Sequence, residues 1–166
     1  SIREIYFNDG FVTIDKTGPT ISYVTSDKPD GSYKAGVSMN IIVKFNENII
    51  SFGTPTLKLN VVAGGYLVSS SSMGTDSIIF TYTVRPTHNT SDLDYIAGSL
   101  TGPITDELGN YSLLVLPTIG SGDSLSDRKN IIIDNTPPHI INVTSSNNDS
   151  SYGENCNAFF FTFVIY

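Results

Sequence analysis

With 166 residues, the chain has room for one sandwich-sized domain and some overhang, not for two full domains. Isoleucine, valine and threonine supply 19, 11 and 17 residues while alanine appears four times, a bias towards strands and away from helices. Nine Lys and Arg against sixteen Asp and Glu give a net charge of −7, which argues against nucleic acid or an anionic membrane as partner and points the acids towards cations instead.

The first 14 residues read as the last strand of a preceding repeat, because the segment that ends them recurs. Val12-Thr13-Ile14-Asp15-Lys16-Thr17-Gly18-Pro19-Thr20-Ile21 aligns without gaps on Ile131-Ile132-Ile133-Asp134-Asn135-Thr136-Pro137-Pro138-His139-Ile140, an offset of 119 residues. The match continues with Val24-Thr25-Ser26 on Val143-Thr144-Ser145, Asp30 on Asp149, and Ser32-Tyr33 on Ser151-Tyr152. A strand, an Asp-X-Thr-X-Pro linker and a second strand are therefore present twice. The chain is expected to be cut from a tandem array, with one complete repeat over residues 15–133.

Inside that repeat the first predicted strand is Ile21 to Val24. Strict alternation then marks half-buried strands: Met39, Ile41, Val43 and Phe45, next Leu57, Leu59 and Val61, and later Ile78, Phe80, Tyr82 and Val84. Tyr66 to Ser70, a strand near Tyr95 to Ile104, and Asn130 to Ile133 complete about seven strands separated by Gly, Pro, Asn and Ser turns. Count and spacing predict an all-β fold, an immunoglobulin-like sandwich of antiparallel strands. Residues 134–155 open the following repeat, and over 156–166 the correspondence is lost. Phe159 to Tyr166 is apolar but too short for an anchor, reading as a cut-off strand or a divergent tail. Neither a charged leader nor a membrane span is legible, so direct membrane insertion is not expected and the chain is expected to begin inside a longer protein. The single cysteine, Cys156, leaves no intrachain disulfide, and stability must come from core burial or bound ions.

The complete repeat resembles the bacterial immunoglobulin-like repeats of very large surface and secreted adhesins. The residues that carry the resemblance are Ile14 to Pro19, Asp30 to Gly36, Val43 to Ile49 and Gly53 to Leu59, then Phe80 to Val84, Asp92 to Tyr95, Asp106 to Asn110 and Ile131 to Asp134. One departure is Val37, which stands where relatives often carry an acid after the Gly36 position. The resemblance implies an extracellular or cell-surface rod, frequently rigidified by calcium, a device that cadherin-like modules share.

In a sandwich with alternating strands, Glu47 and the turn from Asp106 to Asn110 return to the pole where Asp15 enters, giving one expected acidic cluster. The same count sends Asp92 and Asp94 to the opposite pole, where the last strand leaves through Asp134, giving a second. Calcium takes about six to eight hard oxygen ligands, and carboxylates from a linker and two loops could supply them. The metal candidates are thus Asp15, Glu47, Asp92, Asp94, Asp106, Asn110 and Asp134. The competing reading makes Asp92 and Asp94 solvent-facing acids around an inward Leu93, and Asp106 to Asn110 an ordinary turn.

Catalysis is not expected. His88 and His139 have no partnership with Cys156, and zinc has no Cys or His spacing to use. Acids are plentiful, but no Trp platform exists for sugar rings. Gly64-Gly65 and Gly120-Ser121-Gly122 read as turns without a following helix, which leaves no phosphate cradle. Two functions remain. The first is a structural and adhesive spacer, with neighbouring repeats as partners and host-cell or matrix glycans or proteins engaged through other domains. The alternative is a carbohydrate- or protein-binding module using polar loops, with Tyr23, Tyr33, Tyr66, Tyr82, Tyr95 and Tyr111 available to line a face.

Overall fold

Strands dominate the molecule, as its β-branched composition dictates. The computed structural model describes residues 3–7, 10–145 and 161–165, and the chain divides into two units, Ser1–Asn135 and Thr136–Tyr166. The first unit opens with a hairpin of β1 (Arg3–Phe7) and β2 (Gly10–Ile14), paired antiparallel from Arg3 against Ile14 to Phe7 against Gly10. The first 14 residues therefore carry two strands where one was predicted; the sequence Asn8-Asp9-Gly10 is a hairpin signal that the repeat match does not include.

Residues 15–133 then contribute β3 (Ile21–Ser26), β4 (Gly31–Tyr33), β5 (Ser38–Phe45), β6 (Ile50–Ser51), β7 (Thr56–Leu59), β8 (Tyr66–Ser69), β9 (Ser72–Met73) and β10 (Ser77–Thr83). β11 (Ile104–Thr105), a helical turn α1 (Leu125–Arg128) and β12 (Ile131–Ile133) complete the span. Four strands form one antiparallel sheet in the order β3-β5-β10-β9, β7 pairs with β8, and β6 with β11. β4 and β12 pair in parallel.

The period of two decides what is buried. β5 turns Met39, Ile41, Val43 and Phe45 inward and β10 turns Ile78, Phe80 and Tyr82 inward, where they meet Leu57 and Leu59 of β7, Val68 of β8, Ile104 of β11, and Ile131 and Ile133 of β12 in one cluster. Each such side chain removed from water contributes about 1.5–3 kcal/mol, so this cluster outweighs any surface pairing in holding these strands together.

The path of the chain through this unit follows from the same strands. Thr20, at the start of β3, exchanges hydrogen bonds with Asn46, just past the end of β5: Asn46 N–H donates to Thr20 O at 3.0 Å and Thr20 N–H to Asn46 Oδ1 at 2.7 Å. Asp134, just past β12, donates its N–H to Tyr33 O at 3.1 Å, and Asn135 Oδ1 accepts from Ala35 N–H at 2.6 Å, both near the beginning of β5. The chain therefore enters at one end of β5 and leaves at the other, about 26 Å away at 3.3 Å per residue over its eight residues. The parallel pairing of β4 with β12 makes these two strands run the same way, towards the end where Asp134 leaves.

Two expectations are corrected. Tyr95 to Ile104 is not a continuous strand: Gly98, Gly102 and Pro103 interrupt it, and its pairing with β7 is reduced to isolated bridges at Leu59–Tyr95 and Thr56–Thr101, with Ser99 Oγ accepting from Lys58 N–H between them. The glycines Gly120 and Gly122 are followed by a helical turn, because Ser124 and Asp127 form a capping box. The cradle of N–H groups there holds the chain's own Asp127: its Oδ2 accepts from Gly120, Gly122 and Ser124 at 3.1, 2.9 and 3.2 Å, which leaves those donors to a carboxylate rather than a phosphate.

Among the described residues, the second unit contains β13 (Ile140–Ser145) and β14 (Phe161–Ile165), paired antiparallel with a register shift between Ile140 and Asn142. The apolar tail thus contains a strand. The repeat matches at Asp149 and Ser151-Tyr152, and the divergence from Cys156 to Phe160, lie outside the described residues. No helix among the described residues is long and apolar enough to cross a membrane.

Candidate cation site

Three carboxylates converge where the chain approaches β3. Asp15 comes from the linker after β2, Glu47 from the loop after β5, and Asp106 from the turn after β11; one oxygen of each lies within 4.8 Å of the others. They line an open recess of about 430 Å³ together with Asn48, Glu107 and Leu108. Local chemistry fixes two of the three. Asp15 Oδ1 accepts from Thr17 N–H at 2.9 Å and Thr17 Oγ1–H at 2.6 Å, an Asx-type turn that sets the linker's bend. Asp106 Oδ1 accepts from the N–H groups of Leu108 and Asn110, each at 2.8 Å, and Gly109 between them takes φ 86°, which favours glycine.

Asn110 stitches the two segments, its Nδ2 donating to Asp106 Oδ2 at 2.6 Å and to Asp15 O at 3.3 Å. In this arrangement it braces the recess as a donor. Gly18 seals the same seam, for its Cα faces the carbonyl of Tyr111 so closely that a side chain there would overlap it. Across the recess, Asn48 Nδ2 donates to Glu107 Oε1 at 3.2 Å.

Electrostatics divides the acids. Hydrogen bonds from Thr17 hold Asp15 below the usual aspartate range. Burial pushes Asp106 upward, but donors from Asn110 and Leu108 outweigh it and leave its carboxyl lowered. Glu47 is raised, first by desolvation and then by the charges of Asp15 and Asp106. No lysine or arginine forms an ion pair with any of the three among the described residues. Among the described residues these anionic oxygens face each other with no lysine or arginine paired to them, and hard divalent ions suit such a donor set.

The remaining predicted residues lie elsewhere. The loop that follows β10 runs back along β12: Thr90 bridges to Ile133 at the strand's end, and Leu93 N–H donates to Ile131 O at its start, 2.8 Å. Asp92 and Asp94 consequently sit by the beginning of β12, whereas Asp134 lies past its end beside Ser32, Tyr33, Lys34 and Val37. The acids near Asp92 are Asp94 and Asp127, and desolvation followed by those two charges raises it. Asp94 is buried and committed: Oδ1 accepts from Tyr95 N–H at 2.8 Å and Oδ2 from Ser126 Oγ–H at 2.6 Å. Among the described residues, the Asp15–Glu47–Asp106 group is the one that gathers three potential metal ligands.

The tyrosines have separate duties. Tyr82 and Tyr95 are closed inside the core, Tyr95 donating to Pro117 O at 2.6 Å, and Tyr33 donates to Pro29 O at 2.7 Å. Arg128 lies over the ring of Tyr23 and Arg85 over that of Tyr66, at 4.1 and 5.0 Å. Sequence reasoning did not find Asn48 and Glu107, although both flank predicted ligands by one residue, nor the buried His88 that contacts Tyr66 and Tyr82. Family models, curated proteins and solved structures were all compared with the chain, and none of them matches it.

Proposed function

We propose that the chain is part of an extracellular structural and adhesive spacer of a large surface protein, an immunoglobulin-like sandwich repeated in tandem and stiffened by calcium where each repeat begins. The observation that carries this reading is the convergence of Asp15, the linker acid that the internal repeat reproduces as Asp134, with Glu47 and Asp106. An ion held by these three ties the incoming linker to the loop after β5 and to the turn after β11, removing the swivel between consecutive repeats. The end-to-end path through the repeat supports the same reading, since a module whose chain enters and leaves at opposite ends extends an array instead of folding it back. The distal ligand, a glycan or protein, is bound by other domains, and the repeat itself performs no catalysis.

Calcium fits better than magnesium, because it accepts six to eight oxygens with irregular geometry while magnesium demands near-ideal octahedral placement at shorter distances. The thermal midpoint of the protein in millimolar calcium, in magnesium and in EDTA tests the reading. A ligand bound only by the folded state stabilises it by about 2.7 kcal/mol at a hundredfold excess over its dissociation constant, so the midpoint rises in calcium and little in magnesium. Identical midpoints in all three would remove the ion from the account.

A further inference from the structure

We infer that His88 is an acid-operated latch on the segment by which the chain leaves the repeat: protonation of the imidazole opens the loop from Arg85 to Thr90 and releases Asn135. The inference goes beyond the cation reading and does not depend on it.

His88 is 3% exposed and packed between two tyrosines. Its Nδ1 lies 2.8 Å from Tyr82 Oη, its ring is stacked on Tyr82 with centroids 5.7 Å apart, and the tilted ring of Tyr66 is 4.5 Å away. The groups that face it are Tyr82 from β10, Tyr66 from β8 and the Arg85 guanidinium from its own loop; among the described residues no carboxylate bonds to it. In the Nε2–H tautomer of the neutral imidazole, Nδ1 accepts the phenolic proton of Tyr82. In the imidazolium both nitrogens donate, so the hydroxyl hydrogen of Tyr82, itself 1% exposed, loses its acceptor. The ring faces attract a cation, but loss of water and then the charge of Arg85 prevail, and the imidazole is held below its ordinary value of 6.5.

Tyr66 and Tyr82 belong to paired strands, whereas His88 sits in a loop. The cheapest way to hydrate a charged His88 is therefore to swing that loop outward. The same loop grips the departing chain. Asn135 Nδ2 donates to His88 O at 2.6 Å and to Arg85 O at 3.1 Å, and Asn135 N–H donates to Asn89 Oδ1 at 2.8 Å. Asn135 Oδ1 in turn accepts from Ala35 N–H at 2.6 Å, so one amide side chain clamps the loop, the chain end and the turn before β5. At the equivalent position of the first linker the chain carries Lys16, which has no amide to make this clamp.

Because the open form protonates at about 6.5 and the closed form only below that, the open population rises up to tenfold per pH unit between those two values. Amide hydrogen exchange of the whole 166-residue protein, corrected for intrinsic exchange, reads it directly. As pH falls below about 6.5, protection at Ala35 and Asn135 falls, by at most about tenfold per unit, while β5 amides keep theirs. In His88→Gln the fall is absent. Unchanged protection in the wild type, or an equal fall in His88→Gln, overturns the latch. Should His88→Gln not fold, nuclear magnetic resonance decides in the wild type: the His88 ring and the Ala35 amide titrate with one midpoint below 6.5, and separate midpoints refute the coupling.

Discussion

Substituting Gly18 by alanine tests whether the seam between the linker and the turn after β11 positions the acids. Gly18 has an ordinary backbone conformation, so shortening the list of unfolded conformers would by itself stabilise the protein by about 0.4–1 kcal/mol. The methyl group, however, would lie 2.0 Å from Tyr111 O and 2.5 Å from Tyr111 C. Both are backbone atoms with no rotamer to yield, and the two segments must separate by about 1 Å to reach even the shortest tolerated contact. Such overpacking costs typically about 1–3 kcal/mol. The two effects subtract to a net loss of about 1.3 kcal/mol at their midpoints and up to about 2.6 kcal/mol. Because the hydrogen bond from Asn110 Nδ2 to Asp15 O, already 3.3 Å, spans the same seam, Asp15 also retreats from Asp106 and calcium affinity drops. Urea unfolding followed by tyrosine fluorescence, available because the chain has nine Tyr and no Trp, reads the stability, and the same titration in calcium reads the coupling. A Gly18→Ala protein as stable as the wild type, with the calcium increment intact, would refute the seam.

Glu47→Gln removes the acid whose charge is disfavoured first by desolvation and then by Asp15 and Asp106. A raised carboxylate binds its proton more tightly when folded, so its stabilising effect is complete below its ordinary value of 4.5 and is lost as pH rises through the raised value. In EDTA at neutral pH the variant should therefore melt higher than the wild type and lose that pH dependence, while in calcium the order reverses; a variant that melts lower in EDTA would contradict the proposed repulsion. Asp94→Ala leaves Tyr95 N–H and Ser126 Oγ–H without their acceptor in a buried site, a cost of about 1–3 kcal/mol. Its calcium increment should match the wild type, and a lost increment would reveal a second ion there.

The reach of the sequence differs from segment to segment. Alternation exposes Met39 to Phe45 and Ile78 to Val84 because both are half-buried strands whose inward residues are all apolar. It is silent about direction, so the parallel pairing of β4 with β12 is invisible in a three-residue run. Tyr95 to Ile104 has the apolar residues of a strand, yet its glycines leave it as bridges along β7. The acids divide likewise. Asp15, Glu47 and Asp106 follow from counting strand reversals, because each lies at a strand end. Asp92 and Asp94 do not, because the loop holding them folds back on β12 and Asp94 is claimed by Ser126, 32 residues further on, a partnership that no local pattern announces. The helical turn at Leu125 was legible in principle from Ser124 and Asp127, spaced as in a capping box.

The most direct measurement is calorimetric titration of calcium into the metal-free protein and into Asp106→Asn. The account predicts saturable binding to the wild type, weak or absent response to magnesium, and a marked loss of affinity in Asp106→Asn. Calcium binding that is undetectable in the wild type, or unaltered by the substitution, would contradict a cation at the Asp15–Glu47–Asp106 recess.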